Sequence, residues 1–136
     1  YCILDVEQPN IFWNKTRNLE AFSNKKKNLV RIVVPISETL NLLQKLKNID
    51  FSYFLDWGGS LIWFELNDIS IKILNEIREI TKQHNGYFTL IKVEEDMKAS
   101  ADIFTIDQIK YKISEKIKKS FDPKRILNPG KMYTGI

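Results

Sequence analysis

The 136-residue sequence has one cysteine, Cys2, and one histidine, His84. A lone thiol forms no internal disulfide, and too few Cys and His residues are present for a zinc centre, so the composition fits a reducing cytoplasm. No apolar run approaches the ~20 residues needed to span a bilayer, and no short apolar segment follows basic residues at the start. The chain therefore reads as soluble. It also lacks internal repeats, low-complexity segments and a nucleophile-base-acid pattern. The only glycine pair, Gly58-Gly59, has neither the GxGxxG spacing nor the strand-to-helix setting of a dinucleotide cradle, so no nucleotide site is expected within these residues.

What is present is an ordinary globular composition, 43% hydrophobic and 28% charged, at the length of one domain. Net charge is +4 and unevenly placed. From Asp107 onward eight basic residues (Lys110, Lys112, Lys116, Lys118, Lys119, Lys124, Arg125, Lys131) stand against three acidic ones (Asp107, Glu115, Asp122). Such an end meets solvent, phosphate or an acidic partner. The first residue, Tyr1, points to a chain that begins inside a longer product, whereas Thr134-Gly135-Ile136 resembles a natural terminus. The sequon Asn14-Lys15-Thr16 carries little weight without a secretory signal.

Periodicity gives the order of elements. Leu29 to Pro35 is rich in β-branched residues and reads as a strand with Val30, Ile32 and Val34 on one face. Ser37 is positioned to cap a helix in which Leu40, Leu43 and Leu46 recur. Phe51 to Asp56 and Ser60 to Leu66 are strands joined through Trp57-Gly58-Gly59 as a hairpin. Ile69, Ile73, Ile77 and Ile80 mark a helix starting near Asp68, stopped by Asn85-Gly86, and Tyr87 to Val93 is a further strand. The resulting order is that of a ferredoxin-like split βαβ fold: an α+β domain with an antiparallel four-stranded sheet and two helices on one face.

Two accessory pieces flank this unit. Phe12, Trp13, Thr16, Leu19 and Phe22 line one side of a helix after Pro9, ahead of a polar loop from Ser23 to Asn28. Glu94 to Ala101 is another polar loop. Beyond it, Thr105 and Gln108 have capping-box spacing, Phe104 and Ile109 that of a hydrophobic staple, and Ile109, Ile113 and Ile117 form the expected buried stripe of a last helix. The expected divisions are a helical lead-in over 1–28, the core over 29–93, and a loop, helix and tail over 94–136. Together they form one domain of a larger protein.

Few residues invite a chemical role. His84, at a helix end, reads as structural. Asp56 before the glycine pair reads as a local backbone acceptor rather than a catalyst. Glu94, Glu95 and Asp96 could be weighed as metal ligands but read as solvated. Trp57 and Trp63 are more informative, because strand alternation turns Trp63 away from Ile62 and Phe64, toward the face without helices. There it either packs under another element or touches substrate. No catalytic residue and no metal site is assigned.

The ending FDPKRILNPGKM, Phe121 to Met132, combines a helix stop at Pro123 with a forced turn at Asn128-Pro129-Gly130, so the tail is expected to leave its own domain. This ending resembles the terminal signature of FAD-linked oxidases, the family related to vanillyl-alcohol oxidase that includes D-lactate and glycolate oxidising enzymes. Paired with DWGGSLIWF, it is most similar to accessory subunits of bacterial glycolate oxidases. The resemblance implies a cap domain that completes a flavin site held by an N-terminal FAD-binding domain of the same polypeptide. Asn128, Pro129, Gly130 and Lys131 would then lie near FAD. Asn128 would offer amide hydrogen bonds and Lys131 a positive charge to flavin or a carboxylate substrate.

The resemblance further implies partner subunits of flavin and iron-sulfur type, through which a cytoplasmic protein could meet a membrane. The His-Gly-Asp-Gly-Asn-type motif of several D-lactate-type relatives is missing, which favours an accessory role. These residues alone are expected to be colourless, without bound FAD, and poorly ordered after Pro129. The alternative is an RNA-recognition-like module, suggested by strand order, sheet aromatics and the basic end. Against it stand Asp56 and Glu65, and a third strand without the basic-Gly-aromatic core.

Overall fold

The computed structural model describes residues 8–22, 28–67, 69–94, 97, 101–105, 107–130 and 133. The elements are α1 (Gln8–Arg17), β1 (Asn28–Val33), α2 (Thr39–Leu46), β2 (Phe51–Asp56), β3 (Leu61–Leu66), α3 (Ile71–Gln83), β4 (Tyr87–Lys92) and α4 (Gln108–Phe121). The four strands form one antiparallel sheet in the order β2-β3-β1-β4. This is the ferredoxin-like α+β arrangement, with helices added before and after it.

Register explains the core. Val30 lies opposite Phe64 and Leu90, and Ile32 opposite Ile62 and Phe88. These residues share the helix-facing side and are essentially inaccessible to solvent, together with Leu42 and Leu46 of α2 and Leu74 and Ile77 of α3. The helical stripe of α2 is shifted from the expected one. Leu40 is exposed, while Thr39, Leu42 and Leu46 are buried. A 3₁₀ turn over Ile36–Glu38 precedes the helix and changes its phase, and Ser37 caps nothing. Thr39 instead donates its hydroxyl to the Gly59 carbonyl at 2.7 Å, tying α2 to the hairpin turn.

Local chemistry sets the element ends. Ser70 caps α3, its hydroxyl accepting from the Ile73 amide. The start expected near Asp68 thus falls slightly later, and Asp68 itself lies outside the described residues. At the other end of α3 the left-handed residue is Asn85, with φ of 55°. Gly86 is required for a different reason: a Cβ there would sit 2.8 Å from the Thr81 methyl and 3.0 Å from the Val33 carbonyl oxygen. His84 is structural. Its Nδ1 lies 2.7 Å from Glu38 Oε2, joining the end of α3 to the start of α2. That hydrogen bond holds the Glu38 carboxyl below its ordinary range.

The accessory helices depart from expectation. α1 ends at Arg17, and Leu19 takes φ of 52° before a 3₁₀ turn over Glu20–Phe22, so the five proposed residues do not line one continuous helix. At the other end, α4 is capped by Asp107, whose carboxylate accepts from the Lys110 amide at 2.8 Å and is held below its usual range by that bond. Thr105 cannot serve as the expected cap because its stretch is still extended. Phe104 bridges Thr89, and the Thr105 amide donates to the Phe88 carbonyl. Among the described residues no helix is long and apolar enough to cross a membrane.

Candidate functional site

The side of the sheet turned away from α2 and α3 carries a transverse row of side chains. Phe54 pairs with Trp63, Trp63 with Arg31, Arg31 with Thr89, and Thr89 with Phe104. Trp63 thus lies on the face that alternation assigns it. α1 and the turn after it cover one end of this row. Phe12, Thr16, Leu19 and Phe22 enclose a cavity of about 410 Å³ against Phe54. At the other end the Tyr133 ring lies 6.1 Å from that of Phe104 and 6.3 Å from that of Tyr111 in α4. Trp63 and Arg31 occupy the stretch between these aromatic flanks.

Trp57 is elsewhere, at the hairpin tip, 61% exposed. It takes φ of 50° and is followed by Gly58 at 66° and Gly59 at 102°. Asp56 supports the turn by accepting from the Trp57 amide at 2.7 Å, the local role its sequence context implies. No ring contact joins Trp57 to Trp63 among the described residues.

The last helix holds the largest departure from expectation. Ile109, Ile113 and Ile117 are 74%, 52% and 54% exposed rather than buried, and Phe121, Ile126 and Leu127 continue the apolar stripe at 84%, 72% and 60%. The spacing correctly aligns these residues on one face. What covers a face is a tertiary matter, and none of these residues packs into the core.

The tail nevertheless makes contacts with α4. Asp122, 5% exposed, receives the Ile126 amide on Oδ1 at 3.1 Å and the Leu127 amide on Oδ2 at 2.9 Å. Lys118 Nζ lies 2.8 Å from Asp122 Oδ2 and also donates to the Leu127 carbonyl. Lys118 and the two amides together hold the Asp122 carboxyl below its usual range. Arg125 and Asn128 take φ of 51° and 45°, Gly130 takes 66°, and Tyr133 returns to Tyr111, about two turns nearer the helix start. The chain therefore folds back along α4 instead of departing from it. Sequence reading missed Asp122 as the anchor, although an Asp just before Pro at a helix end is a recognisable turn-forming signal.

Of the residues proposed near a cofactor, Asn128, Pro129 and Gly130 lie together on the exposed outside of this turn. Lys131 falls outside the described residues, as do Glu95 and Asp96 and the loop over 23–27. Among the described residues no cluster of three or more His, Cys, Asp and Glu side chains could hold a metal.

The fold and its uncovered last helix define a ferredoxin-like α+β domain with an added apolar, basic face. Residues 104–132 match the family model described as FAD linked oxidases, C-terminal domain. The match supports a C-terminal domain of FAD-linked oxidases, a family of oxidoreductases that implies FAD in the full enzyme. No curated protein and no solved structure matched the chain.

Proposed function

We propose that the chain is the C-terminal cap of an FAD-dependent 2-hydroxy-acid oxidase or dehydrogenase subunit of glycolate type, completing a flavin site built mainly by an FAD-binding domain of the same polypeptide. One coincidence carries the reading: the segment similar to the oxidase family, residues 104–132, includes the apolar helix face that the fold leaves uncovered. An apolar stripe with several side chains more than half exposed marks an interaction surface. A flavin-binding domain seated there would bury it.

The tail suits a position beside the ring system. Asn128 presents an exposed amide with both donor and acceptor, and the Asp122 anchor fixes the backbone that carries it. A Cβ at Gly130 would meet nothing within 4 Å, so glycine serves the backbone conformation there rather than a close approach. Asn128 and the neighbouring backbone would bond the polar edge of FAD, while Pro129 stiffens the turn. FAD, when bound, supplies the hydride acceptor for oxidation at the substrate α-carbon. The cap's own contribution is to orient and to exclude water.

Further partner subunits of flavin and iron-sulfur type belong to the same reading, as does a cytoplasmic location. Nucleic acid is not a favoured ligand. Asp56 and Glu65 lie on the strand face an RNA would use, and α1 packs over Phe54 there. The test is co-expression with the flavin-binding domain encoded in frame upstream. Co-elution of the two with FAD, abolished by Ile113→Glu, is expected. Failure to associate, or stoichiometric flavin absorbance from the 136-residue chain alone, would overturn the proposal.

A further inference from the structure

We infer that β2 is a docking edge for a second copy of this chain, pairing antiparallel with its own counterpart about a two-fold axis. The ladder shows which backbone groups this edge presents. The Val34 amide donates to the Ser60 carbonyl, and Val33 lies opposite Leu61. Alternation from that bond turns the amides and carbonyls of Ile62, Phe64 and Leu66 toward β1, and those of Leu61, Trp63 and Glu65 toward β2. The residues opposite the latter are Asp56, Phe54 and Ser52, so the backbone groups of Phe51, Tyr53 and Leu55 point out of the sheet. At the other edge the equivalent groups of β4 are taken: the Leu90 amide donates to the Ile103 carbonyl, and the Phe88 carbonyl accepts from the Thr105 amide. Among the described residues no backbone hydrogen bond reaches the outer edge of β2.

β2 also lacks the devices that ordinarily blunt an open edge. The strand, FSYFLD, contains no lysine and no proline, and it pairs with β3 without a bulge. Tyr53 and Leu55 project to the helix-facing side, opposite Phe64 and Ile62, yet they are 51% and 39% exposed on this outermost strand. Self-pairing centred on Tyr53 uses every outward residue. Tyr53 meets its own counterpart, and Leu55 meets Phe51 of the second copy, so the unpaired amides and carbonyls are satisfied and apolar side chains lie against apolar ones. Asp56 comes opposite Asp50 of the second copy, a like-charge contact that limits the affinity. A single strand pair is at the small end of specific interfaces, and the association is reversible. Because the chain itself covers the edge of β4, the assembly closes as a dimer instead of propagating.

The inference does not depend on the cap-domain reading. Sedimentation equilibrium of the 136-residue chain is expected to show a monomer–dimer equilibrium in the micromolar range with no larger species. In hydrogen exchange, the amides of Phe51, Tyr53 and Leu55 should gain protection as concentration rises, whereas those of Ser52 and Phe54, which face β3, stay protected throughout. Tyr53→Pro removes an outward N–H without breaking a bond to β3, and Leu55→Lys places a charge on the edge. Each should weaken dimerisation about tenfold or more. Amide spectra report whether the sheet of each variant is intact, and should Tyr53→Pro unfold, Leu55→Lys carries the comparison. Ile113→Glu, on the uncovered face of α4, should leave the dimer as it is. A monomer at every concentration, growth beyond the dimer, unchanged association in the folded edge variants, or loss of the dimer in Ile113→Glu would each overturn the proposal.

Discussion

The sheet with α2 and α3, and the last helix with its tail, are equally periodic in sequence and opposite in fate. Ile77 of α3 is 2% exposed, whereas Ile113 of α4 is 52% exposed. Both sit on regular apolar faces. In the first region the connections are short enough to bring the helices onto the sheet. In the second, an extended stretch pairs along the outer edge of β4 and delivers α4 beyond the core. Hydrophobic spacing thus specifies a face, and connectivity determines whether that face is satisfied within the chain or kept for a partner.

The sharpest way to probe this contrast is by truncation in each region. Phe64 is 1% exposed and packs edge-on to Phe51, with ring centroids 4.8 Å apart. Phe64→Ala is expected to cost about 3–5 kcal/mol in urea unfolding. A cost within about 0.5 kcal/mol, as for surface changes, would mean the sheet is not the stabilising core. Ser70→Ala removes the cap of α3 and should cost about 1 kcal/mol by the same measurement. The counterpart in the other region is Ile113→Ser. It should leave the unfolding midpoint within about 0.5 kcal/mol of the parent, since its side chain is not packed in the core. A larger loss would show that α4 is already covered within the isolated chain.

The smallest effect concerns the tail. Asp122 is held below its ordinary range, so its contribution is complete above the unfolded value of about 3.9 and is lost as pH falls through that value toward the folded one. The protection factors of the Ile126 and Leu127 amides, taken against the intrinsic exchange rate at each pH, should therefore fall on acidification from roughly pH 4 downward, while the amides of β1 and β3 stay protected. Asp122→Asn should show the low protection already at neutral pH. If protection of both regions were lost together, the tail and the core would form a single cooperative unit, and the distinction drawn between them would fail.

Legibility followed the range of the forces involved. The β2–β3 hairpin was readable because Gly58 and Gly59 tolerate the positive φ that such a turn demands. The strand order could be reached from the strand-helix-strand-strand-helix-strand sequence and its short connections. Less readable were the phase of α2, which a preceding 3₁₀ turn shifts, and the cap of α4, which moves to Asp107 because Thr105 is taken up by pairing with β4. In the candidate site, alternation alone assigned Trp63 its face. Alternation also set Arg31 on the face opposite Val30 and Ile32, but nothing local distinguishes an arginine whose Nε is buried without a partner from one that is solvated.

The sequence by itself determined which strand residues share a face, where the strands and the hairpin between β2 and β3 fall, and that the chain forms an α+β domain, since these depend on backbone preferences and side-chain spacing within a few residues. Only the tertiary structure decided that the isoleucines of α4 remain uncovered, that Asp122 gathers the tail onto its own helix, and that Arg31 comes to stand between Trp63 and Thr89. Those outcomes depend on contacts between segments distant in the chain or on the path of a connection, which periodicity does not encode.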